Sequence, residues 1–282
     1  MSGTLYVVAT PIGNLEDITL RALRVLREVG LIAAEDTRRT AKLLQHHAID
    51  TPTVSFHEHN TRRRMPELIA RLDRGQSIAL VSDAGTPLLS DPGLELIQEC
   101  IARDIPVDPV PGASAPLTAL IASGFTPQPV TFLGFAPSRA SDRSTWLAQL
   151  ADIDHTAIFF EAPHRIKATL AEAGAILGNR PLAVGRELTK RHQEFIRGDA
   201  THLAERLDNA RGEFTVVVGP RAVQSASTSD EVSASHIATE FRRLTESDGL
   251  SRREAISKLA RQYELPSRQV YAMVEAAKGR LS

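Results

Sequence analysis

Through the first 124 residues, short apolar runs alternate with longer segments in which aliphatic side chains return every three or four positions. The runs from Leu5 to Ala9, Leu31 to Ala34, Thr53 to Phe56 and Ser77 to Val81 read as strands, as does the stretch around Val107. Between them, Leu20, Leu23 and Leu26 form the stripe of a helix starting near Ile18, and Leu43 and Leu44 mark a second. A third helix follows Arg62, Arg63 and Arg64, with Leu68, Ile69 and Leu72 toward the core. Leu94, Ile97 and Ile101 mark a fourth, and Leu117, Leu120 and Ile121 a fifth. Asp91 and Pro92 carry the signature of an N-cap and first helical residue, because proline lacks only a donor that would be orphaned there. Strands alternating with helices at this tempo predict a mostly parallel sheet covered on both faces. Its end falls near Gly124, and Pro127-Gln128-Pro129 reads as a hinge that bars regular helix.

A second α/β unit is expected over 130–219. Strands are predicted from Val130 to Phe135, Thr156 to Phe160, Leu182 to Val184 and Glu213 to Val218, with an extended piece from Glu194 to Arg197. Helices are predicted from Arg143 to Leu150, His164 to Leu177 and Thr201 to Leu207. Few hairpin-type glycine turns occur, so the sheet is mixed; the pattern leaves strand order open. Residues 220–231, rich in Ser, Ala and Thr, read as a linker. Over 232–282 a small helical domain is expected. Ile237, Phe241 and Leu244 form one stripe, Ser251 and Glu254 have capping-box spacing, and Pro266-Ser267 opens a last helix with Val270, Tyr271 and Val274. From Ser251 onward seven Lys and Arg oppose three Glu, which makes this domain basic.

Composition narrows the function classes. The net charge of -1 rules out a molecule basic throughout, although a local basic face remains open. Cys100 is the lone cysteine and falls in a helix, which excludes an internal disulfide or a cysteine metal cluster and suits a small buried hydrophobe. The start, MSGTLYVVATPIG, lacks a cationic region and a long apolar run, and no stretch approaches spanning length. The expectation is a cytoplasmic protein without membrane association.

The candidate chemistry sits in five polar loops, each at the carboxyl end of an expected strand. They are TPIGN (10–14), EDTR (35–38), HEHN (57–60), SDAGTP (82–87) and PGASA (111–115). In a parallel sheet they share one edge, and a second domain over that edge makes a cleft suited to a cofactor of nucleotide size. Gly13, Gly85 and Gly112 admit close approach of backbone, and Asp83 can accept bonds from amino or ribose donors. Arg38, Arg39, Arg62 to Arg64, Lys190 and Arg191 supply a rim for a polyanion. The dinucleotide fingerprint GxGxxG, the phosphate loop GxxxxGK[ST] and the hydrolase elbow GxSxG are all absent. His57-Glu58-His59 is the nearest approach to a metal site, but alternating side chains point apart, so no metal is expected.

The segments GTLYVVATPIGNLEDITLRAL, LIAAEDTRRTAKLL, SFHEHN, LVSDAGTPLLSDPG, VPGASA, FFEAPHRI and GRELTKRHQEFIRG occur in that order. Together they closely resemble the family of S-adenosyl-L-methionine-dependent methyltransferases that modify the 2′-hydroxyl of a cytidine in the decoding region of 16S ribosomal RNA, a branch of the tetrapyrrole methylase superfamily. The resemblance covers residues 3–219, and LSRREAISKLARQYELPSRQVYAMV is similar to that family's small carboxyl-terminal domain. It implies a two-domain α/β tetrapyrrole-methylase-like fold, a homodimer, and cofactor held between the domains. Carried over by motif, the residues for the cofactor are Pro11, Gly13, Ser82, Asp83, Ala84, Gly85, Thr86, Pro87, Pro111, Glu161, Ala162 and Pro163. The Gly185-Arg186-Glu187-Leu188 segment stands near the adenosine or the RNA entrance. Ala162 replaces a serine usual in the family's FYESPHR motif, which removes a hydroxyl from that position. For the reaction itself, Asp36 and Glu35 are the candidate bases, with Glu58 behind them, and Arg38 and Lys190 the candidate phosphate holders. The two acids can equally partner arginines or cap the next helix. The implied acceptor is a locally unpaired nucleotide of 16S rRNA, within a small ribosomal subunit particle or as naked RNA. The rival readings are a methyltransferase acting on a small tetrapyrrole-like substrate and a non-catalytic RNA-binding protein.

Overall fold

All five apolar runs of the first half become parallel strands in the computed structural model, which describes residues 2–207, 211–221, 234–247, 249–263 and 265–278. The strands are β1 (Leu5–Val8), β2 (Leu31–Ala34), β3 (Thr53–Ser55), β4 (Ile78–Val81) and β5 (Val107–Val110), in the order β3-β2-β4-β1-β5. Every pairing is parallel, and β4, apolar and wholly buried, is the middle strand. Pro109, which cannot donate to a ladder, lies on the edge strand β5, where the loss is tolerated. Helices α1 (Leu20–Glu28) and α2 (Thr37–His46) cover one face through Val25, Leu26 and Leu44. Helices α3 (Thr61–Asp73) and α4 (Leu94–Ala102) cover the other through Leu68, Leu72, Leu96 and Cys100.

Two expectations change here. The fourth helix begins at Leu94, not at Asp91-Pro92. Leu88, Ser90 and Gly93 all have positive φ (76°, 72° and 129°), and these left-handed turns hold the preceding segment out of a helix. Asp91 is thereby released from a capping role. Helix faces also differ: Leu20, Leu94, Ile101, Leu117 and Ile121 are exposed, while smaller or neighbouring residues such as Ala22, Leu96, Cys100 and Ala119 are buried.

The last helix of the first half, α5 (Ala115–Ser123), belongs by connection to β5 but packs on the second sheet. Its Ala119 and Leu120 lie against Ile158, Ala183 and Val217, together with Ile12 from the loop after β1. Gly124 ends it in a left-handed conformation, and Arg197 donates to the carbonyls of Ala122 and Ser123. The second sheet has the order β6-β7-β10-β8-β9 and is mixed. Its strands are β6 (Val130–Phe135), β7 (Thr156–Glu161), β8 (Leu182–Arg186), β9 (Glu194–Gly198) and β10 (Phe214–Val218); only β6 and β7 pair parallel. Helices α6 (Ala140–Asp152), α7 (Ile166–Leu177) and α8 (Ala200–Arg206) cover its far face.

The chain divides into two compact units, Met1–Arg221 and Ala222–Ser282. The expected linker lies, from residue 222 onward, outside the described residues. The second unit holds α9 (Ala234–Arg242), a π-helical turn (Arg243–Ser247), α10 (Arg252–Gln262) and α11 (Ser267–Lys278) around a core of Ile237, Phe241, Leu244, Leu259, Val270 and Val274. The capping box at Ser251 and Glu254 is formed in both directions. Among the described residues no helix is long and apolar enough to cross a membrane.

Candidate active site

Parallel pairing brings the loops after all five strands to one edge, and hydrogen bonds tie those after β1, β2 and β5 to the loop after β4. Thr10 and Gly85 exchange backbone bonds of 2.8 and 3.0 Å, joining TPIGN to SDAGTP. Thr86 Oγ1 donates to the Ala113 carbonyl at 3.1 Å, which ties in PGASA. The EDTR loop is locked reciprocally: the Asp83 amide donates to Glu35 Oε2 at 3.1 Å, and the Asp36 amide donates to Asp83 Oδ1 at 2.9 Å. Arg39 adds an ion pair to Asp83 at 3.3 Å. The central position of β4 makes this possible, since its loop has neighbours on both sides.

Over this edge sits the second sheet, and between them opens a cleft of about 450 Å³, within the range of small-ligand sites. The first half contributes Glu35, Arg39, Asp83 to Thr86, and Leu89 to Asp91; the second contributes Phe135, Phe160 to Pro163, and Glu213 to Thr215. Ser114, at the start of α5, lines it as well. Phe160 stacks edge-on with Phe132 and tilted against Phe135, giving one wall an aromatic surface. Beneath that wall the Glu161 carboxylate is wholly buried. It accepts from Thr169 Oγ1 at 2.6 Å and from the Ala162 amide at 2.7 Å, and pairs with Arg165 at 2.6 Å. Such a fully bonded charge fixes the Glu161 to Pro163 segment rather than offering itself to a ligand.

The residues expected for the cofactor separate into groups. Asp83, Ala84, Gly85, Thr86, Glu161, Ala162 and Pro163 line the cleft. Pro11 and Ser82 line a smaller neighbouring cavity of about 170 Å³ with Thr10 and Asp83. Pro87 is buried and Pro111 is exposed, both outside the cleft walls. Gly13 abuts the Leu188 to Lys190 turn of the second half. Of the candidate bases, Glu35 lines the cleft, and burial raises its pKa above the usual carboxylate value. Asp36 instead caps α2 through the Arg38 amide at 2.8 Å and grips the Arg38 guanidinium at 2.7 Å. Those bonds hold its carboxyl well below the usual range. Lys190 is held by Glu187 at 2.8 Å and Glu213 at 3.0 Å, outside the cleft walls. Among the described residues no group of three or more His, Cys, Asp or Glu is arranged to hold a metal ion.

Sequence reasoning missed the cleft roles of Ser90 and Asp91 because the Asp-Pro pair mimics a helix start. It also missed the aromatic wall, for which Phe135 and Phe160, ending adjacent parallel strands, were the available signal. Asp91 is half-buried and its pKa is pushed up to about 6, first by burial and then by the Glu35 charge.

The geometry defines an α/β fold of two sheets with a ligand-sized cleft between them. A family model described as Tetrapyrrole (Corrin/Porphyrin) Methylases matches residues 4–204. The ribosomal RNA small subunit methyltransferase I of Synechocystis sp. is 47% identical over 275 residues, 96% of this chain and 97% of that protein. That of Bacillus subtilis is 45% identical over 271 residues, 95% of this chain and 93% of that protein. The uroporphyrin-III C-methyltransferase of Thermus thermophilus, solved in complex with S-adenosyl homocysteine, superposes with a TM-score of 0.56 at 17% identity, over 77% of this chain and 97% of that one. The chain belongs to the tetrapyrrole methylase family, in the branch formed by the ribosomal RNA small subunit methyltransferases I.

Proposed function

We propose that the protein transfers a methyl group from S-adenosyl-L-methionine to the ribose 2′-hydroxyl of a cytidine in the decoding region of 16S ribosomal RNA. The observation that carries this is near-full-length identity to the ribosomal RNA methyltransferases at 45–47%, joined to a cleft of matching chemistry. Glu35, Asp83, Asp91 and Glu213 line the cleft, against Arg39 as the one basic residue among its described walls. A surface so acidic repels phosphates and suits a cationic donor with amino and sulfonium groups. It argues equally against a nicotinamide dinucleotide and against a tetrapyrrole substrate bearing several carboxylates.

The donor supplies an electrophilic methyl group on a good leaving group, so the protein's task is alignment and desolvation. The Asp83 to Thr86 backbone, with Gly85 at a φ of 81°, forms the cradle that only glycine suits at its turn. Phe135 and Phe160 give an apolar face for a purine, and Ala162 with Pro163 closes the wall. Outside, Arg38, Arg62 and Arg63 are exposed and suit a polyanionic strand. The acceptor is read as an unpaired nucleotide within a small-subunit particle in the cytoplasm. A homodimer accounts for the exposed Leu94, Ile101, Leu117 and Ile121 on α4 and α5.

Transfer of tritiated methyl to small-subunit particles and to deproteinised 16S RNA, with the labelled nucleotide mapped, tests the reading. Label on the ribose of a single decoding-region cytidine is the expected result. Label elsewhere, or none in either substrate, overturns it.

A further inference from the structure

The cleft abuts a second cavity of about 400 Å³, walled by the His57-Glu58-His59 loop after β3 and by the Ser90 to Pro92 turn. Three residues line both: Glu35, Ser90 and Asp91. The second cavity has the furnishings of a nucleotide seat. The His57 and His59 rings stand 6.0 Å apart, and His57 Nδ1 is shielded from water with no partner among the described residues. We propose that this cavity seats the acceptor nucleotide and that Asp91, on the border between the two cavities, accepts the proton of its ribose hydroxyl. This rests on the functional reading above.

Elimination among the three shared residues favours Asp91. Glu35 is committed to the Asp83 amide and so braces two loops. A serine hydroxyl such as that of Ser90 is too weak a base at neutral pH. Among the described residues Asp91 has neither a capping duty nor an ion pair, and the nearby Ser82 hydroxyl makes no full hydrogen bond. Its placement is also enforced. Leu88 and Ser90, neither of them glycine, are held at φ of 76° and 72°, and the Ser90 hydroxyl comes so close to Gly134 on β6 that a Cβ there would lie at 3.3 Å. Non-glycine residues kept in this region store strain that surrounding structure must sustain, and here it fixes the turn carrying Asp91.

In the step itself the ribose O–H proton passes to the Asp91 carboxylate. The ribose oxygen bonds to the methyl carbon as the methyl–sulfur bond breaks, and the donor departs as its neutral thioether. Asp91 then releases the proton to water, which completes the balance. The charged and titratable groups facing Asp91 are Glu35 and Asp83 from the loops after β2 and β4, His57, Glu58 and His59 from that after β3, and Arg39 from α2. Burial and the two carboxylates raise its affinity for a proton, yet leave it ionised at neutral pH, as a general base requires.

The test compares wild type, Asp91→Asn and Glu35→Gln on small-subunit particles in single turnovers across pH. It pairs these with calorimetric titration of S-adenosylmethionine and carbon-13 NMR titration of the Asp91 carboxyl group. Asp91→Asn is expected to slow methyl transfer at saturating S-adenosylmethionine by about 100-fold or more, far beyond the loss of cofactor affinity that removing one cleft charge brings. The wild-type acid limb is expected to coincide with the Asp91 titration, and both to move to lower pH in Glu35→Gln. A smaller loss in Asp91→Asn, a parallel loss of cofactor affinity, or an acid limb unrelated to the Asp91 titration overturns the assignment. Wild-type protein that methylates neither particle nor RNA overturns the functional reading itself, and the assignment falls with it; an active wild type with an active Asp91→Asn sinks the assignment alone.

Discussion

At Asp91 a base costs stability, and the cost has a sign that pH reveals. Its folded pKa of about 6 stands above the ordinary carboxyl value of 3.8. Between those values the folded protein keeps a proton on Asp91 that the unfolded chain releases, so this group's contribution to stability is greatest below pH 4 and declines as pH rises to 6. A shift of this size in a sealed site would amount to about 3 kcal/mol, but half-exposure and solvent screening reduce it to about 1 kcal/mol. Asp91→Asn is therefore expected to match wild type in urea at pH 4 and to exceed it by about 1 kcal/mol at pH 7.5. Lower stability of the variant at neutral pH would contradict this placement of the carboxyl group. Glu161 presents the opposite case within the same cleft. Its charge is satisfied by Arg165, Thr169 and a backbone amide, so it holds a wall in place while Asp91 remains available.

Among the elements, the loop after β1 does more to clasp the two halves than to touch a ligand. A Cβ on Gly13 would fall 2.5 Å from Lys190 Cγ, 2.7 Å from Thr189 Oγ1 and 2.8 Å from the Leu188 carbonyl oxygen. The lysine can swing aside, but the carbonyl belongs to a turn already strained at Glu187 and Thr189, with φ of 49° and 63°. The Asn14 amide donates to Thr189 Oγ1 across the same junction at 3.0 Å. Gly13→Ala is expected to cost about 1–3 kcal/mol and to weaken S-adenosylmethionine binding, because the halves that wall the cleft must part. Gly124→Ala is the control: its φ of 83° strains any side chain, but nothing lies within 4 Å, so stability falls while calorimetric affinity holds. Equal affinity loss in both would show that the clasp does not shape the cleft. Much of this architecture was legible in the sequence, because strands buried on both faces are nearly unbroken apolar runs and the loops after them carry the polar motifs. Helix orientation was less so. The Leu94 and Ile101 stripe is exposed while Cys100 is buried, since periodicity locates an apolar face but not which side the sheet occupies. Nor did the pattern reveal that α5 covers the second sheet, because two of its three stripe residues, Leu117 and Ile121, face outward while Leu120 is buried beside the small Ala119 and Ser123.

At the scale of the whole chain, the two units have separate cores, and this separates two kinds of binding. The cleft is built entirely within Met1–Arg221, whereas Ile237, Phe241, Leu259 and Val270 enclose a core of their own beyond it. Removal of residues 222–282 takes away none of the described residues that line the cleft. What it removes is charge: Arg253, Lys258, Arg261 and Arg268 are all exposed on or beside α10 and α11. Arg252 is less free, being paired with Glu275 and stacked over Tyr271. Each phosphate neutralised by such a residue releases counterions, so its contribution appears in the salt dependence of binding, with a slope of about -0.7 per contact for a single strand. A chain ending at Arg221 is expected to fold and to bind S-adenosylmethionine as the full chain does. Its affinity for 16S RNA should be weaker, and the plot of log affinity against log salt shallower by about two to three units, as losing three or four phosphate contacts requires. An unchanged salt slope would mean that these arginines face solvent and that the rim around Arg38, Arg62 and Arg63 bears the RNA alone.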